Sequence, residues 1–273
     1  MDAAWSAGED PVVGIVDSDG DGRDAVEIAD PLDAAPVDDA RIVRGSRETV
    51  LAAEPTVLVT GDDASLAAVA RAGVDTPVLP VGPVTGIESV DRDRLPDALE
   101  VALDGRAVRR AQPILDVVLE TRPERERQSE AHDASDHERA LFDVTLVTDE
   151  PARISEYGVH SQDATVATFR ADGVVVATPA GSHGYASAVG APTLSAAVDA
   201  IAVAPIGPFV TQTRRWVLPD DGLALTVERD EGDVTLVVDG RPVGSVTVDS
   251  RVTVTATGAL PTLVVPDEQL KYR

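Results

Sequence analysis

From Val12 to Gly105 the chain alternates short apolar runs with longer helical patterns. Val12–Val16 (VVGIV), Thr56–Thr60 (TVLVT) and Thr76–Gly82 (TPVLPVG) are brief and rich in β-branched residues, as expected of strands buried on both faces of a parallel sheet. Between them, Ala64–Ala72 (ASLAAVARA) sets Leu66, Val69 and Ala70 on one helical face and stops at Gly73, a residue suited to a left-handed helix cap. Leu95–Gly105 (LPDALEVALDG) is a second helix closing on glycine. Strand, helix, strand, helix predicts a parallel sheet with crossover helices.

Around residues 122–140 the pattern fails. RPERERQSEAHDASDHERA has no apolar face, which predicts an exposed connection or a solvated helix. Beyond it the period becomes two, in DVTLVTD, ATVATFRADGVVVAT and the long stretch from Leu223 to Gly258. Asp239-Gly240, between VTLVV and RPVGSVTV, is a two-residue hairpin signal. The predicted fold is α/β: an N-terminal parallel-sheet domain over 1–121, a polar connection over 122–140, and a β-rich antiparallel domain over 141–260. A terminal segment, 261–273, is too short to stand alone and is expected to dock on the body.

Composition narrows the function. The 273 residues are 43% hydrophobic and include no cysteine, which removes disulfides, thiolate nucleophiles and Cys-based zinc sites together. Acidic side chains outnumber basic ones 48 to 23, giving −25, and the acids are spread along the chain rather than gathered in a tail. Such an excess self-repels and is tolerated where salt screens it, so a halophilic cytoplasm is expected. Nucleic acid is not expected as a partner, because phosphate contacts need clustered Lys or Arg. Arg109-Arg110 and the run from Arg122 to Arg127 are the basic clusters, and glutamates interleave the second. No stretch is long and apolar enough to span a bilayer, and the first residues lack a basic then apolar leader, so a soluble cytoplasmic protein with no membrane partner is expected. The one lysine, Lys271, leaves no place for the G-x-x-x-x-G-K-[ST] phosphate loop.

Several segments carry candidate chemistry. DSDGDG (Asp17–Gly22) begins like a calcium loop, but position twelve is Ile28 and the segment follows a strand, so an acidic turn is the better reading. The G-x-G-x-x-A of Gly20–Ala25 is set among Asp19, Asp21 and Asp24, which would repel a pyrophosphate. His132 and His137, five apart in the polar connection, do not make a metal pair. VLVTGDDASLAAVA is richer: a strand ends at Thr60, Gly61 frees the backbone, and Asp62-Asp63 precede a helix. Either Asp62 merely caps that helix, or it stands beside a bound phosphate or hydroxyl, where it could take a proton from an attacking hydroxyl. In TPAGSHGY a buried strand delivers Thr178, Pro179 fixes φ, Gly181 permits close approach, and Ser182 and Tyr185 add donors. That is a ligand loop or a tightly packed turn.

Taken together and in this order, the two segments resemble the ATP-NAD kinase family, with its Gly-Gly-Asp-Gly turn and its Thr-Pro-Thr-Gly-Ser-Thr-Ala-Tyr loop. RADGVVVA before the loop, then APIGPFVTQTRRWVLPDD and VVDGRPV, extend the likeness over roughly residues 11 to 265. The resemblance implies an NAD-kinase-like fold with NAD between the two domains. It also implies transfer of a phosphoryl group from ATP or polyphosphate to the adenosine 2′-hydroxyl of NAD, with a divalent metal such as magnesium. Members are usually homo-oligomers, so a dimer or tetramer is implied. The family's base maps onto Asp62, with Gly61 and Asp63 beside the ATP phosphates. The residues around NAD map onto Phe142, Asp143, Thr178, Gly181, Ser182, His183, Gly184 and Tyr185.

The sequence departs from the family at telling places. The diglycine turn reads Thr60-Gly61-Asp62-Asp63, the Asn-Glu pair reads Phe142-Asp143, and Thr-Ala-Tyr reads His183-Gly184-Tyr185. Phenylalanine supplies none of an amide's hydrogen bonds. Three readings therefore stand: an NAD kinase, a degenerate homologue that binds nucleotide or a partner without catalysis, and a kinase for another hydroxyl substrate.

Overall fold

The computed structural model describes residues 3–4, 8, 10–17, 32, 37, 40–121, 136–150, 153–162, 164–210, 213–248 and 250–270. The acidic turn from residue 18, residues 122–135 of the polar connection and Lys271 lie outside them. The chain forms two compact units, residues 1–112 with 259–273, and residues 113–258.

In the first unit, β2 (Val12–Val16), β3 (Arg41–Gly45), β4 (Val57–Thr60) and β5 (Val78–Pro80) are all parallel. β2 lies between β3 and β4, and β4 between β2 and β5; the C-terminal part of the last strand, β17 (Ser250–Val264), adds parallel to β5 through Thr262 and Val78. The short β1 (Ala3–Ala4) pairs antiparallel with the start of β6 (Val108–Thr121). Among the described residues three helices accompany the sheet: α1 (Arg47–Leu51), α2 (Asp63–Ala72) and α3 (Leu95–Leu103). One apolar cluster joins Val13, Ile15, Val57, Val59, Leu79 and Val81 to Leu95, Leu99 and Leu263. Odd strand positions thus face α3, while Leu58 is also fully buried, so both faces are covered and the strands read as unbroken apolar runs.

α2 obeys its sequence signals. Asp62 caps its N-terminus, and Gly73 closes it in the left-handed conformation, φ 67°.

The chain runs from β2 outward to β3, then returns past β2 to β4 and on to β5. The connections from β2 and β4 therefore leave in opposite directions. A crevice at the carboxyl ends of two such strands is where parallel α/β sheets bind ligands, and here it is flanked by Asp17 after β2 and Gly61-Asp62 after β4.

The second unit is a β sandwich. One sheet has the order β10 (Ala164–Ala171), β9 (Ser155–Ser161), β14 (Leu223–Arg229) and the first part of β17, all antiparallel. The other is six-stranded: β13 (Trp216–Pro219), β12 (Ala200–Ile206), β11 (Gly173–Ala177), β8 (Asp143–Thr148), β15 (Val234–Val238) and β16 (Arg241–Val246). β7 (Asp136–Ala140) pairs with β6, so residues 136–140 are a strand, where an exposed connection or a solvated helix was expected. Alternate residues of both sheets, including Tyr157, Val159, Leu225 and Val252 from one and Leu146, Val174, Val176 and Leu236 from the other, form a single core.

β11 is buried at every position. Val174 and Val176 enter the sandwich core, while Val175 and Ala177 pack under Ala186, Ala191 and Leu194 on the outer face. That second cover explains why VVVA does not alternate, and it is supplied by the segment that follows Thr178. The predicted two-residue hairpin is present: Val238 pairs with Arg241 across Asp239 (φ 47°) and Gly240 (φ 74°).

Candidate functional site

In the first unit the candidate residues cluster where β4 gives way to α2. Gly61 is buried and Asp62 adopts extended backbone, φ −158°. Asp62 Oδ1 accepts the Ser65 N–H at 2.6 Å, and Ser65 Oγ donates back to the Asp62 carbonyl at 3.1 Å. The carboxylate is thereby oriented at a helix N-terminus, an environment that favours negative charge in a ligand as in a side chain. Thr60 Oγ, two residues before Asp62, is buried with no hydrogen-bond partner among the described residues.

Asp63 is differently employed. Its Oδ1 accepts the Thr85 N–H at 2.8 Å and its Oδ2 accepts the Thr85 hydroxyl at 2.5 Å. The extra acid of this turn therefore anchors the loop after β5. That loop is closed at its base, where Gly82 N–H donates to Val90 O at 2.8 Å and Val90 N–H to Pro80 O at 3.0 Å. Ser89 Oγ also donates to Gly82 O at 2.6 Å. Nothing in the sequence marks Thr85 as the partner of Asp63.

In the second unit the loop Thr178–Tyr185 sits against the start of β8, because Ala177 pairs with Asp143. Thr178 is fully buried. Its N–H donates to Phe142 O at 2.9 Å, its hydroxyl to Leu141 O at 2.7 Å, and it accepts the Gly181 N–H at 3.1 Å. Gly181 presses so closely on this strand that an added Cβ would fall 1.9 Å from Phe142 O. Ser182 is also fully buried; its Oγ donates to Pro179 O at 2.6 Å and accepts the Leu194 N–H at 2.8 Å. The Ser182 hydroxyl, which suggested a ligand contact, is engaged together with that of Thr178 in building the loop. His183 and Tyr185 are exposed, Gly184 is half-buried, and together these are the groups the loop presents.

Phe142 is buried, so the residue matching the family's asparagine packs inward. Asp143 stays partly accessible. Burial, and then the neighbouring Asp239 charge, push its carboxyl up to about 6. Burial, followed by the charges of Asp143 and Asp172, also raises the Tyr185 phenol. Asp239 was legible only as a turn residue, yet its carboxylate accepts three successive N–H groups. Leu141 donates at 2.9 Å to one oxygen, Phe142 and Asp143 at 2.7 and 3.1 Å to the other. It fixes the backbone at Phe142-Asp143, the positions that match the family's Asn-Glu pair.

Among the described residues no three His, Asp or Glu side chains converge to hold a metal ion. No helix among them is long and apolar enough to cross a membrane.

A parallel α/β unit with an acid-bearing turn at its strand ends, and a β sandwich with a tightly built glycine loop, define the fold of the NAD(H) kinases. Yeast NADH kinase, solved with NADH, superposes with a TM-score of 0.73 over 96% of this chain and 85% of its own, at 17% identity. The NAD kinase of Archaeoglobus fulgidus, solved with ATP, gives 0.68 over 95% of each chain at 16% identity. Residues 141–264 match the ATP-NAD kinase C-terminal domain, and the chain belongs to the ATP-NAD kinase family. The NAD kinase of Methanosarcina mazei is 36% identical over 105 residues, 38% of this chain and 36% of that protein. NAD kinase 1 of Streptomyces avermitilis is 30% identical over 216 residues, 74% of this chain and 58% of that one. The match thus spans little more than a third of the first relative's length.

Proposed function

We propose that the protein is an NAD kinase, transferring the terminal phosphoryl group of ATP to the adenosine 2′-hydroxyl of NAD to give NADP and ADP. The observation that carries this reading is Asp62, a carboxylate oriented by Ser65 at the N-terminus of α2, beside the crevice between β2 and β4. The 2′-oxygen forms a bond to the γ-phosphorus as the bond to the β,γ-bridging oxygen breaks, and the hydroxyl proton passes to Asp62. The Gly61 backbone and the first N–H groups of α2 receive phosphate oxygens, and the unpartnered Thr60 hydroxyl is suited to the same ligand. In the second unit Asp143, Gly184 and Tyr185 bind NAD, with Thr178, Gly181 and Ser182 holding the loop in shape and His183 at its exposed edge. A divalent metal such as magnesium would be held by the triphosphate itself, whose charge it would offset, since no cluster of ligating side chains is present among the described residues.

The acid-rich composition supports work in a salt-laden cytoplasm, and the family resemblance supports a homo-oligomer. Buried Phe142 favours a second reading, a kinase for another hydroxyl substrate or a nucleotide-binding homologue without catalysis. Incubation with NAD, ATP and magnesium in molar potassium chloride separates these. NADP formation that disappears in Asp62→Asn supports the kinase. No NADP from folded protein overturns it, and calorimetric titration with NAD then tells whether the dinucleotide still binds.

A further inference from the structure

We propose that Arg92 is the cation that grips the phosphates of the nucleotide triphosphate at the N-terminus of α2. This rests on the kinase reading of that turn and adds to it a residue that neither motif contains. A triphosphate brought beside Asp62 and Asp63 needs a positive group, and the chain's one lysine is at position 271. The structure supplies a guanidinium instead. Gly82, at the end of β5, has φ 77°, and the point where a Cβ would stand is 3.2 Å from Arg92 Nε and 3.7 Å from the carbonyl oxygen of Gly61. The missing side chain at Gly82 is what lets the Arg92 stem lie across the strand end, next to the turn that carries Asp62.

The position is fixed rather than sampled. Arg92 opens a 3₁₀ turn (Arg92–Arg94) that runs directly into α3, whose first residue, Leu95, is fully buried. Two residues before Arg92, Val90 is tied to Pro80 and Gly82 by backbone hydrogen bonds, and the loop between is held to α2 by Asp63 and Thr85. Arg92 Nε is itself buried and the residue only half-exposed, so the charge acts where water screens it weakly. A planar, always-charged fork so placed suits phosphate oxygens. Asp63 and Gly82 then have one purpose: the first anchors the loop, the second makes room for the arginine that the loop delivers.

The test is Arg92→Gln beside the unaltered protein, with NAD, ATP and magnesium in molar potassium chloride. The KM for ATP should rise about ten- to a hundred-fold while the KM for NAD stays within about two-fold. An unchanged KM for ATP, or an equal rise for both substrates, overturns the proposal. If the unaltered protein forms no NADP, the kinase reading fails by itself. Calorimetric titration with magnesium-ATP then decides the role of Arg92: about ten-fold weaker binding by the variant supports it, and equal binding, or none by either protein, overturns it. Should Arg92→Gln fail to fold, Arg92→Lys serves. It keeps the charge but loses the fork, and its ATP affinity should drop about three- to ten-fold with thermal stability unchanged. Wild-type affinity in that variant would also overturn the proposal.

Discussion

Asp63 holds Thr85 by both carboxylate oxygens, one on the backbone N–H at 2.8 Å and one on the hydroxyl at 2.5 Å. The residue that breaks the family's glycine turn has thus become a clamp on the loop that follows β5. Asp63→Ala should cost about 1–3 kcal/mol of stability, since it leaves Thr85 without an ionised acceptor. Denaturant unfolding in constant salt would measure it. A loss within a few tenths of a kcal/mol would mean that solvent satisfies Thr85 equally well.

For Asp62, capping and catalysis are separable. Asparagine caps a helix about as well as aspartate, so Asp62→Asn should change stability by no more than a few tenths of a kcal/mol. It cannot accept a proton, and turnover of an NAD kinase should fall about a hundred- to ten-thousand-fold. Asp62→Ala should lose both, with about 1 kcal/mol of stability gone. Wild-type turnover in the asparagine variant would remove Asp62 from proton transfer and leave it a cap.

Gly181 is a packing glycine, not a hinge. Its added Cβ would meet a backbone carbonyl, that of Phe142, at 1.9 Å, and that atom cannot move aside without shifting β8. Gly181→Ala should destabilise the protein by about 1–3 kcal/mol and should raise the KM for NAD by displacing Tyr185. A thermal melt alongside substrate kinetics would read both; an unaffected melt would show that the loop relaxes freely.

The parts of the fold legible in the sequence were those whose burial is local. VVGIV and VLVT are covered on both faces, α2 has an aspartate at one end and a glycine at the other, and Asp239-Gly240 turns a hairpin. β3 (RIVRG) went unread because it is the sheet's edge, with Arg41 and Arg44 exposed. β9 (SEYGVHS) went unread because only Tyr157 and Val159 are large and apolar. The site was half legible in a more instructive way. Residue types at Thr178 and Ser182 announced a built loop, but their hydroxyls are taken by Leu141, Pro179 and Leu194. Which partner a hydroxyl finds depends on strands that meet only on folding. For the same reason nothing near Asp239 disclosed that it organises residues 141–143, nor anything near Arg92 that its side chain lies beside Gly82.

Asp143 gives the protein a pH dependence whose sign can be worked out. Its carboxyl is pushed from 3.8 up to about 6, first by burial and then by Asp239. The folded state therefore holds this proton more tightly than the unfolded chain does. Below about pH 4 both states are protonated and the group is neutral in effect. As pH rises from there toward about 6 the unfolded chain releases the proton first, so stability falls, and above about 6 the full penalty of a buried charge remains. Asp143→Asn removes the penalty. Its melting temperature should exceed that of the unaltered protein at pH 8 and match it near pH 4, with the gap opening between those values. On the proposed reading of the site, the same variant should bind NAD more weakly at pH 8, because a neutral amide is a weaker hydrogen-bond acceptor than a carboxylate. A constant difference in melting temperature across the range would assign the effect to packing, and unchanged NAD affinity would take Asp143 out of the binding site.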